Sequence, residues 1–370
     1  MGSLGDEIVI LSAPKNPRIC RRPSPAFILN AVKDPCICLC ICALFAVLIP
    51  STHAATLDHI RQTGTLRCAT NHETPEYSTS DDHGAREAFD ADICRAVAVA
   101  ILGPDARTTA TAYPDDDAAA TALRANEIDL IPTQTLDFTH ASDPTVVFSP
   151  PVLYDGVGFL VPIAAKLSHA RQLAGRKICF LAETQVEVSV RAWFAQQRLR
   201  FVPFPFQEEG EMEAAFVTGN CTALVGDLTR LANIRIAFGP LAASYALLPE
   251  QISQDPLAAA SRSDDLAFAN VVRWTIDVLI QAEESGVTQR NIAAARASSD
   301  PTIRFLTGQT DEIGSRLDLD NAWAVNVIAA IGNYGEIFDR DLGMHSLLKL
   351  PRGFNRPYTR GGLLYPLPLK

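Results

Sequence analysis

Two successive series of short apolar runs and amphipathic stretches constrain this chain more than any other feature of its sequence. In the first, Thr65-Leu-Arg-Cys-Ala-Thr70 has strand character. Behind it Phe89, Ile93, Val97 and Ile101 recur every four residues, the spacing of a helix that buries one face. Residues 115–126 read as a second helix and 128–131 as a strand. In the second series, residues 177–181 form a strand and 184–198 a helix. Residues 201–206 are extended, with Pro203 and Pro205 blunting them as an edge. A helix over 208–218 and a strand over 222–225 follow. Such alternation implies an α/β fold built on right-handed parallel sheets. Residues 158–162 and 247–255 are the expected crossings between two lobes. Helices are expected over 56–64, 264–286, 288–298 and 320–334, ahead of a tail rich in Gly and Pro.

The first series ends in a polar loop. The apolar run closes at Ile131, and Thr133, Gln134, Thr135, Asp137 and Thr139 follow at once. In open α/β sheets, ligands settle beyond the carboxyl ends of the strands. Thr133 and Thr135 are therefore candidate ligand contacts, although a loop of this composition also suits a helix cap.

Charge and cysteines narrow the class. The net charge is −10, which argues against nucleic acid, since phosphate binding draws on a Lys/Arg surplus. Five of the nine cysteines precede residue 43. Basic residues at Lys15, Arg18, Arg21, Arg22 and Lys33 lead into the apolar run 36–49, and Pro50-Ser-Thr-His-Ala-Ala55 supplies small residues. This is the pattern of an export signal covering 1–54, cleaved near Ala54 or Ala55, with a start that is long for such a signal. The apolar run has 14 residues, against the ~20 that a spanning helix needs. Export places Cys68, Cys94, Cys179 and Cys221 where disulfides persist, and four cysteines allow three pairings.

The sequence contains no GxGxxG, Walker loop, HExxH or GxSxG segment, so the common nucleotide, metalloprotease and hydrolase signatures are missing. Asp115-Asp-Asp117 suits the acidic first turn of a helix better than a cation site. Seven histidines show no ligand spacing, and neither a metal nor a cofactor is expected.

Several blocks resemble the general L-amino-acid-binding periplasmic proteins. They are Gly64-Thr-Leu-Arg-Cys68, Phe89-Asp-Ala-Asp-Ile-Cys-Arg-Ala-Val97, Tyr154-Asp-Gly-Val-Gly-Phe-Leu-Val-Pro162, Val272-Arg-Trp-Thr275 with Gln281-Ala-Glu-Glu-Ser-Gly286, and Trp323-Ala-Val-Asn-Val-Ile-Ala-Ala-Ile-Gly-Asn-Tyr-Gly-Glu-Ile-Phe338. The resemblance covers essentially the whole chain after residue 54. It implies a periplasmic-binding-protein-like type II fold, α/β, with two doubly wound lobes joined by two crossings. The first lobe would be discontinuous, 55–160 plus 255–370, and the second would span 161–254. It also implies bridges Cys68–Cys94 and Cys179–Cys221, and a membrane permease of an ABC importer as partner.

The resemblance further implies a ligand held by Asn71, Tyr77, Thr133 and Thr135 from one lobe and by Thr184 and Asp227 from the other. Asp227 would accept from a ligand ammonium, while also suiting a helix N-cap. Thr184-Gln-Val-Glu187 equally fits a capping box. One departure bears on specificity: where such proteins hold the ligand carboxylate with an arginine, this chain reads Thr139-His-Ala-Ser142, with Ala141 at the matching place. Loss of a bidentate charge-assisted pair points to an amine, amide or modified amino acid as ligand. The expected function is a non-enzymatic receptor that feeds a small amine-bearing solute to the importer. The alternatives are a lyase or dehydratase using Asp227 and His140, and a sensor or degenerate receptor that has lost its transport ligand.

Overall fold

The computed structural model describes residues 55–71, 89–310 and 313–368. The export segment 1–54 and Tyr77 lie outside the described residues. Helix α1 (Thr56–Thr63) leads into β1 (Thr65–Asn71), α2 (Phe89–Leu102), β2 (Arg107–Tyr113), α3 (Asp116–Arg124) and β3 (Ile131–Thr135). A single-turn α4 (Phe138–Ala141) and the long β4 (Val146–Asp155) follow. Then come β5 (Val157–Pro162), β6 (Lys177–Leu181), α5 (Gln185–Gln196), β7 (Val202–Phe206), α6 (Glu209–Val217), β8 (Ala223–Asp227), α7 (Leu228–Ala237) and β9 (Tyr245–Leu247). The chain returns through β10 (Asp255–Arg262) and the long α8 (Leu266–Glu284). It closes with α9 (Ile292–Ala295), α10 (Pro301–Leu306), α11 (Ile313–Arg316), α12 (Trp323–Ile331) and α13 (Tyr334–Asp341).

Two sheets share one plan. In the first, β1 runs parallel to β2, and its other edge meets the start of β3, where Ala69 donates to the Leu130 carbonyl at 2.9 Å. Beyond it, β10 pairs antiparallel with both β3 and β4. The second sheet has the order β7-β6-β8-β5-β9, with β6 parallel to β7 and β8, and β5 antiparallel to β8 and β9. Each parallel core thus gains an antiparallel strand from a different part of the chain: β10 arrives after the second sheet is complete, and β5 directly continues β4. The wholly parallel sheets expected from the strand–helix alternation are mixed for this reason, because a chain that enters by a crossing runs against the strands already there.

The outward crossing is one residue long. Gly156 alone separates β4 from β5, and residues 157–160 are already paired with β8. The crossing therefore precedes the segment 158–162 that the sequence pointed to. Glycine is required by closeness: a Cβ on Gly156 would stand 2.5 Å from the Ser253 carbonyl oxygen of the returning segment.

The elements pack as their patterns dictate. Phe89, Ile93 and Val97 of α2 are buried with Phe268, Trp323, Tyr334 and Phe338 in one large core. Phe159, Phe180, Val190 and Phe194 fill one face of the second sheet. Cys68–Cys94 ties β1 to α2 and Cys179–Cys221 ties β6 to the start of β8, with Cα separations of 6.3 and 5.9 Å. The stretch expected as one helix over 320–334 is two. Gly332 (φ 97°) ends α12, and Asn333 caps α13, accepting from Glu336 N at 2.9 Å while Glu336 reaches back to Asn333 N. Of the helix expected over 288–298, only the four residues of α9 are α-helical.

Candidate functional site

The carboxyl ends of β1, β2 and β3 converge on a small cavity of about 20 Å³. Its walls include Thr70 at the end of β1, Tyr113 at the end of β2, Asp115 and Asp116 at the start of α3, and Thr133 on β3. Asp90, in the first turn of α2, closes it from below.

Each polar group here has a structural reason for its place. Asp115 caps α3, accepting from Ala118 N at 2.7 Å, and Asp116 follows in the first turn, where the helix dipole favours anions. Thr133 is nearly buried, and its hydroxyl donates to the Asp90 carboxylate at 2.6 Å. Thr135 N donates to Asp116 Oδ2 at 3.0 Å, so the end of β3 is bonded to the helix that precedes it. Thr70 is 3% exposed, and its hydroxyl has no hydrogen-bond partner among the described residues. A hydroxyl buried without a partner costs on the order of 1–3 kcal/mol.

The predicted residues divide between the two sheets. Thr133 and Thr135 stand together at the end of β3, and Asn71 ends β1 beside the cavity-lining Ala69 and Thr70. Asp227 and Thr184 belong to the second sheet. Asp227 ends β8, in register with Val157 just past the crossing, and precedes α7 without a side-chain cap bond. Thr184 caps α5: its hydroxyl donates to the Leu181 carbonyl at 2.9 Å and accepts from Glu187 N at 3.4 Å. The Glu187 carboxylate reaches Glu183 N at 2.9 Å instead of the Thr184 amide, so the full capping box does not form. His140 lies on the four-residue α4, and both its backbone N–H and its Nδ1 meet Asp137 Oδ1 at 2.8 Å. Burial is the largest single influence on Asp137 and opposes its ionisation, but the bonds and charge of His140, with a bond from the Thr139 backbone, together hold its carboxyl below the usual value. Ala141 is exposed at the end of the same turn.

A second cavity, of about 30 Å³, lies at the crossings between Tyr154, Asp155, Thr229, Gln251, Arg352 and Asn355. Asp155 is buried there. Burial raises its pKa above the ordinary carboxylate value, against hydrogen bonds from the Thr229 hydroxyl and Gly156 N. Among the described residues, no group of three or more His, Cys, Asp or Glu is placed to hold a metal ion, and no helix is long and apolar enough to cross a membrane.

No protein-family model matches the sequence. Curated proteins do. The chain is 34% identical over 330 residues to the putative amino-acid ABC transporter-binding protein YhdW of Escherichia coli, covering 88% of this chain and 96% of that one. It is 36% identical over 335 residues to the general L-amino acid-binding periplasmic protein AapJ of Rhizobium johnstonii, covering 89% and 96%. The chain belongs to the family of amino-acid-binding periplasmic proteins of ABC transporters. A solved member, an ABC transporter periplasmic binding protein from Brucella ovis with glutathione bound, superposes with a TM-score of 0.71 at 35% identity, over 85% of this chain and 99% of that one. The fold of the family is the type II periplasmic-binding-protein architecture, and both mixed sheets described above conform to it. Of the residues that the sequence singled out, Thr133 lines the first cavity; Thr70, Tyr113 and Asp90 line it too and were not singled out. Tyr113 was missed with its strand. Thr70 and Asp90 carry no local signal, and only the convergence of three strand ends brings them to one cavity.

Proposed function

We propose that the chain is the exported receptor of an ABC importer, taking a small amine-bearing solute between two lobes and presenting it to a membrane permease. With the lobes so read, the outward crossing is at Gly156 and the return over 248–254, so residues 157–160, which the sequence assigned to the first lobe, belong to the second. In this reading the first 54 residues are the export signal, removed near Ala54 or Ala55. Asn71, Tyr77, Thr133 and Thr135 line one jaw and Asp227 the other, with Thr184 at its edge. Closure follows from differential affinity: a ligand touching both jaws stabilises the closed arrangement over the open one only by the contacts the open one lacks.

The observation that carries the proposal is the repetition of one sheet plan around two adjacent crossings, with polar strand ends in each sheet. The family supplies the chemistry. General L-amino acids in the name of one relative and glutathione in the structure of another share an α-ammonium group, which a carboxylate such as Asp227 is suited to accept.

Calorimetry on the mature chain against the common L-amino acids, aliphatic amines and glutathione tests this, with X-ray scattering on the same samples. The expected result is saturable binding of one amine-bearing class with a fall in radius of gyration. A folded protein that binds none of them and scatters identically throughout would end the proposal.

A further inference from the structure

We infer, beyond the receptor reading above, that the end of the second sheet farthest from Asp227 is a docking surface for an anionic phospholipid bilayer. Four connections meet at this end: 163–176 between β5 and β6, 197–201 between α5 and β7, 218–222 between α6 and β8, and 238–244 between α7 and β9. They share one pole because the parallel strands β6, β7 and β8 all start there, and antiparallel β5 ends there opposite the start of β9. None of the four contains an Asp or Glu. Together with the first residue of β6 they carry Lys166, Arg171, Arg176, Lys177, Arg198 and Arg200, all exposed.

The six cations are unopposed where they stand. Arg171 bonds the Gln197 side chain and Lys177 lies 4.8 Å from the centre of the Phe204 ring, but none of the six pairs with a carboxylate among the described residues. Of two acids near this pole, Glu250 is met by His169 Nδ1 and Ala170 N at 2.9 and 3.0 Å, and Glu213 stands four residues before the end of α6. The opposite end of the same sheet carries Glu183, Glu208 and Asp227, and the whole chain has a net charge of −10. Charge is thus segregated along the strands.

Charge alone would suit any polyanion, and the exposed aliphatic residues decide among them. Ile163 opens the first connection, Val202 starts β7, Val217 ends α6 and Leu241 lies in the fourth connection, all between 38% and 54% exposed. Single exposed aliphatic residues call for no explanation, but these four coincide with the pole that carries the unpaired cations. From β7 to β9 they are spread over five strands, about 19 Å at ~4.8 Å per strand. A soluble acidic polymer gives such side chains nothing to enter. A bilayer offers anionic headgroups to the cations and the acyl boundary to the aliphatic tips, and long Lys and Arg stems keep their charge at headgroup level while covering apolar surface. Screening lets an acidic protein use this pole: at physiological salt the Debye length is ~8 Å, so a headgroup layer in contact feels the cations and little of the acids on the first lobe.

Flotation of the mature chain with vesicles tests this, using phosphatidylcholine alone and phosphatidylcholine with phosphatidylglycerol in equal parts. The expected result is binding to the mixed vesicles only, lost as salt is raised to about 1 M, where the Debye length falls to ~3 Å. Arg176→Glu with Lys177→Glu should weaken that binding at least about tenfold, and Arg198→Glu with Arg200→Glu serves if the first pair lowers the melting temperature. Ile163→Ser with Leu241→Ser should weaken it about fivefold. No flotation with the mixed vesicles, or flotation that both charge reversals leave unchanged, would overturn the proposal. Binding that depends on the cations but is untouched by the serine pair would overturn it too, because an acidic macromolecule and not a bilayer would then be the partner. Amino-acid calorimetry on the same variants should match wild type, so the fate of this surface and that of the receptor reading are read separately.

Discussion

Replacing Asp277 with asparagine should stabilise the protein at neutral pH and destabilise it by about 1–2 kcal/mol near pH 4. Asp277 lies in the buried part of α8, where Oδ1 accepts from Leu367 N at 3.2 Å and Oδ2 has no partner among the described residues. Burial pushes its pKa up from 3.8 to about 6, against the Leu367 bond and the Arg273 charge, which favour ionisation. The direction is opposite to that of a carboxylate in a salt bridge. Between pH 4 and pH 6 the native carboxyl still holds a proton that the unfolded chain has released, so unfolding releases a proton. Stability therefore falls as pH rises through this window and levels off above it. A displacement of about 2 pKa units corresponds to roughly 3 kcal/mol, at 1.36 kcal/mol per unit. Asparagine retains an acceptor for Leu367 N but leaves its own amide N–H groups without a built partner, a pH-independent cost on the order of 1–2 kcal/mol. The expected gain at pH 7.5 is therefore about 1–2 kcal/mol. Urea unfolding followed by circular dichroism at half-unit steps from pH 4 to pH 8 reads it directly. Every other titrating group contributes to both curves, so the difference between variant and wild type isolates residue 277. A difference that does not change with pH, or one that moves against the variant as pH rises, would refute the reasoning.

The Cys179–Cys221 bridge closes a loop with a sequence separation of 42 residues. Loop-closure entropy assigns it about 4 kcal/mol, so Cys179→Ser with Cys221→Ser should lower the melting temperature by several degrees; unchanged melting would show that the unfolded chain gains nothing from losing the bridge. Thr184→Ala removes the hydroxyl that caps α5 and should cost about 1 kcal/mol in urea unfolding. Both lone functions of that hydroxyl, to Leu181 O and to Glu187 N, lie within the second lobe, so ligand affinity should hold; a tenfold loss in calorimetry would move Thr184 from the cap to the ligand.

The elements that sequence made legible were those with a one-sided apolar pattern. The stripe Phe89, Ile93 and Val97 of α2 is buried as its periodicity records, and the strand at Lys177–Leu181 shows as a short apolar run whose Ile178, Cys179 and Phe180 are all buried. Strand β2 was illegible for the converse reason. Arg107–Tyr113 is an edge strand, most of whose residues are exposed on both faces, so neither alternation nor an apolar run marks it. Strand β4 carries Pro150 and Pro151, which sit where the β4–β10 register shifts. The site divides along the same line. Thr133, Thr135 and Asp227 stand at the ends of β3 and β8 behind apolar runs that the sequence displays, so position alone singles them out as candidates, whereas Thr70 shares its cavity with Asp90 and Asp116, 20 and 46 positions later in the chain.

Where the proposed clamp bends follows from what pins its two crossings. The end of β4 is held by the tail: Asn355 accepts from Tyr154 N at 2.7 Å and donates to the Tyr154 carbonyl at 2.9 Å, standing in for a neighbouring strand. The tail is itself anchored, since Arg352 bonds the Glu283 carboxylate at 2.9 and 3.1 Å and lies over the Tyr334 and Phe338 rings. One residue later the carboxylate of Asp155 accepts from Gly156 N at 2.8 Å and from the Thr229 hydroxyl at the start of α7. The return is fastened to the same spot, because Val157 N donates to Ser253 Oγ at 2.8 Å and Ser253 Oγ donates to Asp255 at 2.6 Å. Rotation is therefore confined between two fixed points. Tyr154 belongs to the first sheet with the tail and Thr229 packs with the second, and Gly156 lies between them, its N–H bonded to Asp155 and its carbonyl accepting from Leu228 N at 3.0 Å. A side chain at 156 would meet Ser253 and Gln251 within 2.6 Å, so the residue that permits the two crossings to lie side by side is also the one best able to turn.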